Sequence, residues 1–195
     1  FSLFHQRALD DLEKRPFGKE TPREEHSFGI DVVAKTFRAI GHGVPDRVGD
    51  DPTVGLVNHT NLGYVPMELL FLRSVDDGHT WIADTVQPPL IGPAFETCHS
   101  IIALKDGRWL VPTSTWRGWN GDEPNGMQAI ALVSHDRGAT WPEYLKVMNG
   151  SSQGIIYWEQ SMTEMPDGRL LAVCWAFQER SGESLPTPYT ISTDG

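Results

Sequence analysis

Positive charge is scarce in this chain: 16 Lys and Arg stand against 26 Asp and Glu, for a net charge of −10 and a pI near 5.0 over 195 residues. No basic stripe exists to neutralise phosphates, which argues against a nucleic-acid partner. Long apolar runs are missing too. None approaches the roughly 18 residues of a membrane-spanning helix, so no membrane partner is expected. Cysteine is nearly absent, and Cys98 and Cys174 alone make no disulfide framework. The seven histidines are scattered without HxxH spacing, and no CxxC is present, so neither a metal nor an organic cofactor is expected.

What the chain does have is repetition. Ser74-Val75-Asp76-Asp77-Gly78-His79-Thr80-Trp81 returns as Ser134-His135-Asp136-Arg137-Gly138-Ala139-Thr140-Trp141, and Ser192-Thr193-Asp194-Gly195 begins a third copy. The leading serines stand 60 and then 58 residues apart, a period that marks an array of similar units. Each copy has the chemistry of a stapled turn. The Ser and Asp side chains can bond backbone N–H groups of the turn that follows. The Gly supplies a positive φ, and the Thr-Trp pair restarts a strand with an indole large enough to fill a gap between packed sheets. These residues read as structural, and both tryptophans are expected to be buried in equivalent surroundings.

A second repeated element supports the same period. Two β runs flank Asp106-Gly107 and again Asp167-Gly168, a strong hairpin signal. Each unit then reads as strand A, Asp-Gly turn, strand B, a longer loop, strand C, the box and strand D. Because strands alternate in direction, the boxes and Asp-Gly turns share one end of the array. The opposite end carries the long, individual loops 58–67, 88–96, 114–126, 147–159 and 176–188. Function is expected there, on varied loops carried by a rigid scaffold. Residues 1–27 are highly charged and are set apart from 28–195, where the texture becomes β.

The boxes at 74–81, 134–141 and 192–195 resemble the Asp box (BNR repeat) of the sialidase, or neuraminidase, superfamily. That resemblance implies an all-β fold, the six-bladed β-propeller. Six blades of about 60 residues need roughly 350 residues, so about three are expected here. The chain starts on Phe1 rather than Met and stops inside a box, which reads as truncation at both ends. The family also includes non-hydrolytic propellers.

Glu159 is the leading candidate for chemistry. It stands at the expected entrance of a strand A, five residues before Glu164 and nine before Gly168. This stretch resembles the sialidase segment whose first glutamate acts as base to a tyrosine nucleophile. A phenol of pKa near 10 needs such a base at neutral pH. The alternative is a strand-end carboxylate paired with an arginine. Next comes the loop holding Trp116, Arg117 and Trp119. Its guanidinium could bind a sugar carboxylate bidentately and its indoles could stack on sugar faces, or the same residues could simply pack between blades. Glu96, Thr97 and His99 occupy the corresponding entrance one unit earlier, with a buried, satisfied imidazole as the alternative for His99.

Two departures from the family are plain. The position ten residues beyond the hairpin glycine, an arginine in sialidases, is Gln178, with Arg180 two residues on. The loop 58–67, which in the family carries an acid/base aspartate, has no Asp or Glu. His59 could transfer protons in its place. The expected function is a sialidase-like glycoside hydrolase acting on terminal sugars of a glycan substrate, and the family resemblance points to a secreted or periplasmic setting. The alternative is a non-catalytic glycan-binding or protein-interaction propeller.

Overall fold

The computed structural model of the chain describes residues 30–37, 57–65, 67–97 and 99–193, with the backbone alone for 30–37, 67 and 68. The charged segment 1–27, Arg38, Arg47, Cys98 and the last two residues of the third box lie outside them. The described chain is all-β, with no α-helix and several antiparallel sheets.

The first sheet joins β1 (Ile30–Phe37), β4 (Met67–Ser74) and β5 (Ile82–Val86). Between β1 and β4 lies a small hairpin, β2 (Val57–Asn58) with β3 (Gly63–Tyr64). The second sheet is a meander. Its first line is broken into β6 (Ala94–Glu96) and β7 (Ile102–Ala103), both paired with β8 (Trp109–Trp116); β9 (Ala129–Ser134) and β10 (Glu143–Met148) follow. A short 3-10 turn, Ser151–Gln153, leads into the third sheet. There β11 (Ile155–Glu164) pairs with β12 (Leu170–Gln178), whose other edge takes β13 (Glu183–Leu185) and β14 (Tyr189–Ser192). The order expected from the repeats is thus observed, and each complete box links the last two strands of its sheet.

The three sheets stack face to face. One core cluster joins Leu69, Phe71 and Val86 of the first sheet to Val111, Ile130 and Leu132 of the second. Another joins Leu110, Ala131 and Val133, on the second sheet's other face, to Met162, Leu170 and Ala172 of the third. Alternate residues of β8 and β9 therefore face opposite neighbours, so β9 is buried at every position. A strand covered on both faces needs no polar side, which explains the continuous run from Ala129 to Val133. Each fully buried Leu or Ile contributes about 2 kcal/mol.

The Ser, Asp, Gly and Thr of the two boxes make the same bonds. Ser74 Oγ donates to Asp76 Oδ1 at 2.8 Å, and Ser134 Oγ to Asp136 Oδ1 at 2.8 Å. The Gly78 and Gly138 N–H groups reach those serine oxygens at 2.7 Å. The Thr80 and Thr140 N–H groups donate to the aspartates at 2.8 Å and their hydroxyls at 2.6 Å. Gly138, at φ 85°, cannot be replaced easily, because an added Cβ would lie 2.7 Å from Phe71 Cζ. Asp77 and Arg137, at φ 57° and 56°, also take the left-handed conformation, which was not anticipated for non-glycine residues.

The two tryptophans differ, against expectation. Trp141 is 3% exposed and meets Phe71 edge-on at 6.2 Å, so the second box seats its indole on the first sheet. Trp81 is only half-buried, with Nε1 donating to Gly78 O at 3.1 Å. The seat that Trp141 finds is a sheet of the preceding repeat, and no such sheet faces Trp81 among the described residues. Trp141→Ala is expected to destabilise the fold by about 3–5 kcal/mol, and Trp81→Ala by less than about 2 kcal/mol, measured by urea unfolding.

The box carboxylates also predict an acid response. The Thr80 hydroxyl, then its N–H and the Ser74 hydroxyl, hold Asp76 down at about 2 from an ordinary 3.8. Asp136 is likewise held at about 2 by Thr140 and Ser134. Because folding lowers these pKa values, their stabilisation is complete above about pH 4 and is lost as pH falls toward 2. Urea midpoints should drop across that window, and the Asp76→Asn, Asp136→Asn double variant should show a flatter drop. An unchanged slope would place the acid sensitivity elsewhere.

Candidate functional site

The two ends of the stack differ in character. At the box end, short turns are tied across sheets by repeated local contacts, such as Lys105 Nζ donating to Met165 O and Pro166 O at 3.2 and 3.1 Å. At the other end, loops from three successive units are braced against one another. The hairpin β2–β3 lies so close to the second sheet that a Cβ on Gly63 would sit 2.0 Å from Gly118 O. Tyr64 N donates to Arg117 O at 3.1 Å, and Trp116 Nε1 to Leu62 O at 2.8 Å.

Glu159 lies within this end but not at a strand entrance. Strand β11 starts at Ile155, which places Glu159 fifth in the strand. Trp158 pairs with Trp175 and Ser161 with Val173, so three steps along β11 match two along β12. Glu159 and Gln160 together oppose Cys174, a β-bulge of one extra residue. At the bulge Glu159 takes φ 48°, a left-handed conformation that costs an L-residue with a Cβ about 1–2 kcal/mol. Its side chain is exposed and makes no hydrogen bond or ion pair among the described residues, so the arginine pairing considered from the sequence is not formed. A strained backbone that presents an uncommitted carboxylate is the kind of feature that clusters at functional sites.

The second sheet breaks its inner line at the same level. Glu96 pairs with Ser114 and Ile102 with Leu110, so six steps match four. The gap is braced by Thr113 Oγ1, which donates to Glu96 O at 2.6 Å and lies 3.2 Å from Thr97 Oγ1. Two neighbouring sheets thus interrupt their first strands at matching positions, and a period-based reading of strand A could not show this.

Arg117 has a different role from the one expected. Its Nε donates to Glu123 Oε2 at 2.9 Å, its Nη1 to Asn61 O at 2.9 Å, and its Nη2 to Glu179. One guanidinium thereby ties the β2–β3 hairpin, its own loop and the start of the β12–β13 loop together. Burial works against its charge, but the carboxylates of Glu179 and Glu123 outweigh that and raise its pKa. A substrate carboxylate would have to displace two protein carboxylates, so Arg117 is a strut. Sequence reasoning missed Glu123 and Glu179, which are separated from it in the chain by part of a loop and by four strands.

Trp116 is corrected as well. At 5% exposure it is a packing residue, stacked on Trp158 at 5.5 Å with ring planes 10° apart. No sugar face can reach it. Trp119 is half-buried, and its carbonyl accepts from Asn58 Nδ2 at 3.0 Å and Asn61 Nδ2 at 3.2 Å. His59 is exposed in the β2–β3 turn, and Arg180 is exposed just beyond β12 with only its N–H tied, to Gln178 Oε1 at 3.4 Å. Half-exposed His99 has Nδ1 3.3 Å from Ser100 O, so it is not the buried imidazole considered above. Glu96 is half-buried.

The structure therefore brings Trp116 and Arg117 together as bracing, and leaves Glu159, His59 and Arg180 facing solvent. Trp175, opposite Trp158 and 55% exposed, is an aromatic neighbour of Glu159 that the sequence did not single out. Two clefts of the described surface, ≈ 640 Å³ beside Arg73 and Trp141 and ≈ 240 Å³ beside Leu145 and Met162, lie on the seams between sheets. Neither borders Glu159. Among the described residues no group of His, Cys, Asp and Glu is arranged to hold a metal ion.

No protein-family model and no curated protein matches the chain. Among solved structures it is similar to a crystal structure of a protein of unknown function from Dyadobacter fermentans DSM 18053, at a TM-score of 0.52 and 23% identity. The match covers 65% of this chain and 35% of that one, so it spans about a third of the length of its structural neighbour. At that identity the likeness concerns the β fold alone.

The strut makes its own prediction. Arg117→Met should lower stability by about 1–3 kcal/mol in urea unfolding, because Glu123 and Glu179 lose a charged partner. An arginine reserved for a ligand would leave stability nearly unchanged.

Proposed function

We propose that the three stacked sheets are successive blades of a sialidase-like, Asp-box β-propeller, about three of six, and that the loop end carries a glycoside-hydrolase site with Glu159 as its base. The two matching boxes, the sheet order and the face-to-face stacking support the propeller. The observation that carries the site is Glu159 itself, exposed on a left-handed bulge of a first strand with no partner among the described residues. In this reading its carboxylate accepts the proton of a hydroxyl nucleophile as that oxygen bonds the anomeric carbon. The glycosidic bond breaks, the aglycone oxygen takes a proton and departs as the alcohol, and water then hydrolyses the glycosyl intermediate, releasing the sugar and restoring the hydroxyl. Trp175, exposed opposite Trp158, offers an indole to a sugar face beside it.

The substrate is a terminal sugar of a glycan, and a neutral sugar is favoured over sialic acid. Holding a carboxylate away from water requires charged donors, and the guanidinium best placed by sequence is already shared between Glu123 and Glu179. Among the described residues of the loop end, Arg180 remains as an exposed cation. A non-catalytic glycan-binding propeller is the second reading, favoured by the carboxylate-free loop 58–67 and by Gln178, whose Nε2 is tied to Gln153 O at 3.1 Å.

Fluorogenic glycosides, neutral and sialylated, presented to the full-length protein test both readings. Turnover of a neutral glycoside that falls at least about 100-fold in Glu159→Gln is expected. Turnover untouched by that substitution overturns the assignment, glycan binding without turnover selects the second reading, and preferred cleavage of the sialoside overturns the neutral-sugar preference.

A further inference from the structure

We infer that Gln160 is the positioning residue that holds Glu159 outward on its bulge, an inference that rests on reading Glu159 as the site carboxylate. The two residues share one place in the ladder opposite Cys174. The register on both sides of them is pinned. Below the bulge, Met162 is 5% exposed in the cluster between the second and third sheets; above it, Trp158 is stacked on Trp116. A strand cannot slip by one residue without carrying its core side chains to the wrong face, so the extra residue has to be absorbed here. One of the pair turns inward and the other outward.

Gln160 determines which does which. Its side chain is 3% exposed, and a buried amide must find partners. Nε2 donates to Ile130 O at 3.0 Å, across the gap into β9 of the second sheet. Oε1 accepts from Cys174 Sγ at 3.8 Å, a distance suited to a thiol donor. Cys174 is 1% exposed, and burial pushes its thiol up to about 12, so the donor keeps its proton at neutral pH. The amide is thus locked on both sides, and Glu159 is left with the outward place and its positive φ.

The neighbouring unit offers a natural comparison. Gln160 stands eight residues before its hairpin glycine Gly168, and His99 stands eight before Gly107. His99 is half-exposed and bonds only the adjacent Ser100 carbonyl. The second sheet also breaks its inner line there, but the break is braced by the Thr113 hydroxyl on the Glu96 carbonyl and not by a buried amide. Only the third sheet, among the described residues, pairs an outward carboxylate with a buried lock.

Gln160→Met in the full-length protein keeps the length of the side chain and removes its polar atoms. With the best neutral glycoside, kcat is expected to fall about 100-fold while KM stays within about twofold, and the acid limb of the pH–rate profile should shift as the Glu159 carboxylate moves. A crystal structure of the variant should show Glu159 out of the left-handed region or turned inward. Unchanged kcat and pH profile with Glu159 still at its native φ would reduce Gln160 to a packing residue and overturn the inference. Where the wild type hydrolyses no glycoside, the functional reading has failed, and the crystallographic arm alone decides the role of Gln160. Should Gln160→Met not fold, Cys174→Ala removes one side of the lock and Cys174→Ser restores a donor. A smaller loss of kcat in the alanine variant, rescued by serine, supports the inference, and equal behaviour of the two overturns it.

Discussion

Burial of the second sheet on both faces is the constraint from which the remaining features follow. Leu110, Ala131 and Val133 look one way and Val111, Ile130 and Leu132 the other. With water excluded from both sides, the sheet's polar backbone has to be satisfied along its own ladder or by side chains that bridge its breaks, and its chemistry is displaced to its ends. The boxes complete the arrangement from one end. They close the outer hairpins with side-chain bonds to the turn and, in the second copy, drive an indole onto the preceding sheet.

The loop end answers the same constraint with longer-range contacts. Its segments differ in length and sequence and share no repeated staple, so they are held by individual ties: Arg117 among Asn61, Glu123 and Glu179, Trp116 to Leu62, Asn58 and Asn61 to Trp119. A guanidinium between two carboxylates leaves a local charge of −1. That slightly anionic frame lies at the same end as Glu159, whose carboxylate makes no hydrogen bond or ion pair among the described residues. Bracing and chemistry thus divide the charged residues between them, and the arginine most attractive on paper belongs to the bracing.

Strain is stored where the proposed site sits. The first strand of the third sheet could have run straight from Ile155 to Glu164, but it spends one residue on a bulge and turns Glu159 into a conformation that most side chains avoid. The surrounding structure keeps it there through a buried amide, a buried thiol and the carbonyl of a neighbouring sheet. Such over-determination is what allows an unfavourable local geometry to persist in a folded protein.

The period of the boxes, the Asp-Gly hairpins, the β class and the division into a stereotyped end and a varied end were all legible in the sequence. They depend on local chemistry: a Ser-Asp-Gly-Thr turn makes its bonds within eight residues, and a hairpin signal needs only two. Tertiary structure alone decided the rest. Whether Trp81 or Trp141 is buried depends on which sheet lies behind it. Whether Arg117 meets a ligand or a protein carboxylate depends on Glu179, which is 62 residues away in the chain. The bulge at Glu159 follows from registers fixed on either side by contacts with another sheet, and no spacing within the strand records them. A linear pattern specifies bonds that close over a few residues, whereas the competition among distant partners for one guanidinium or one indole is settled only when the sheets meet.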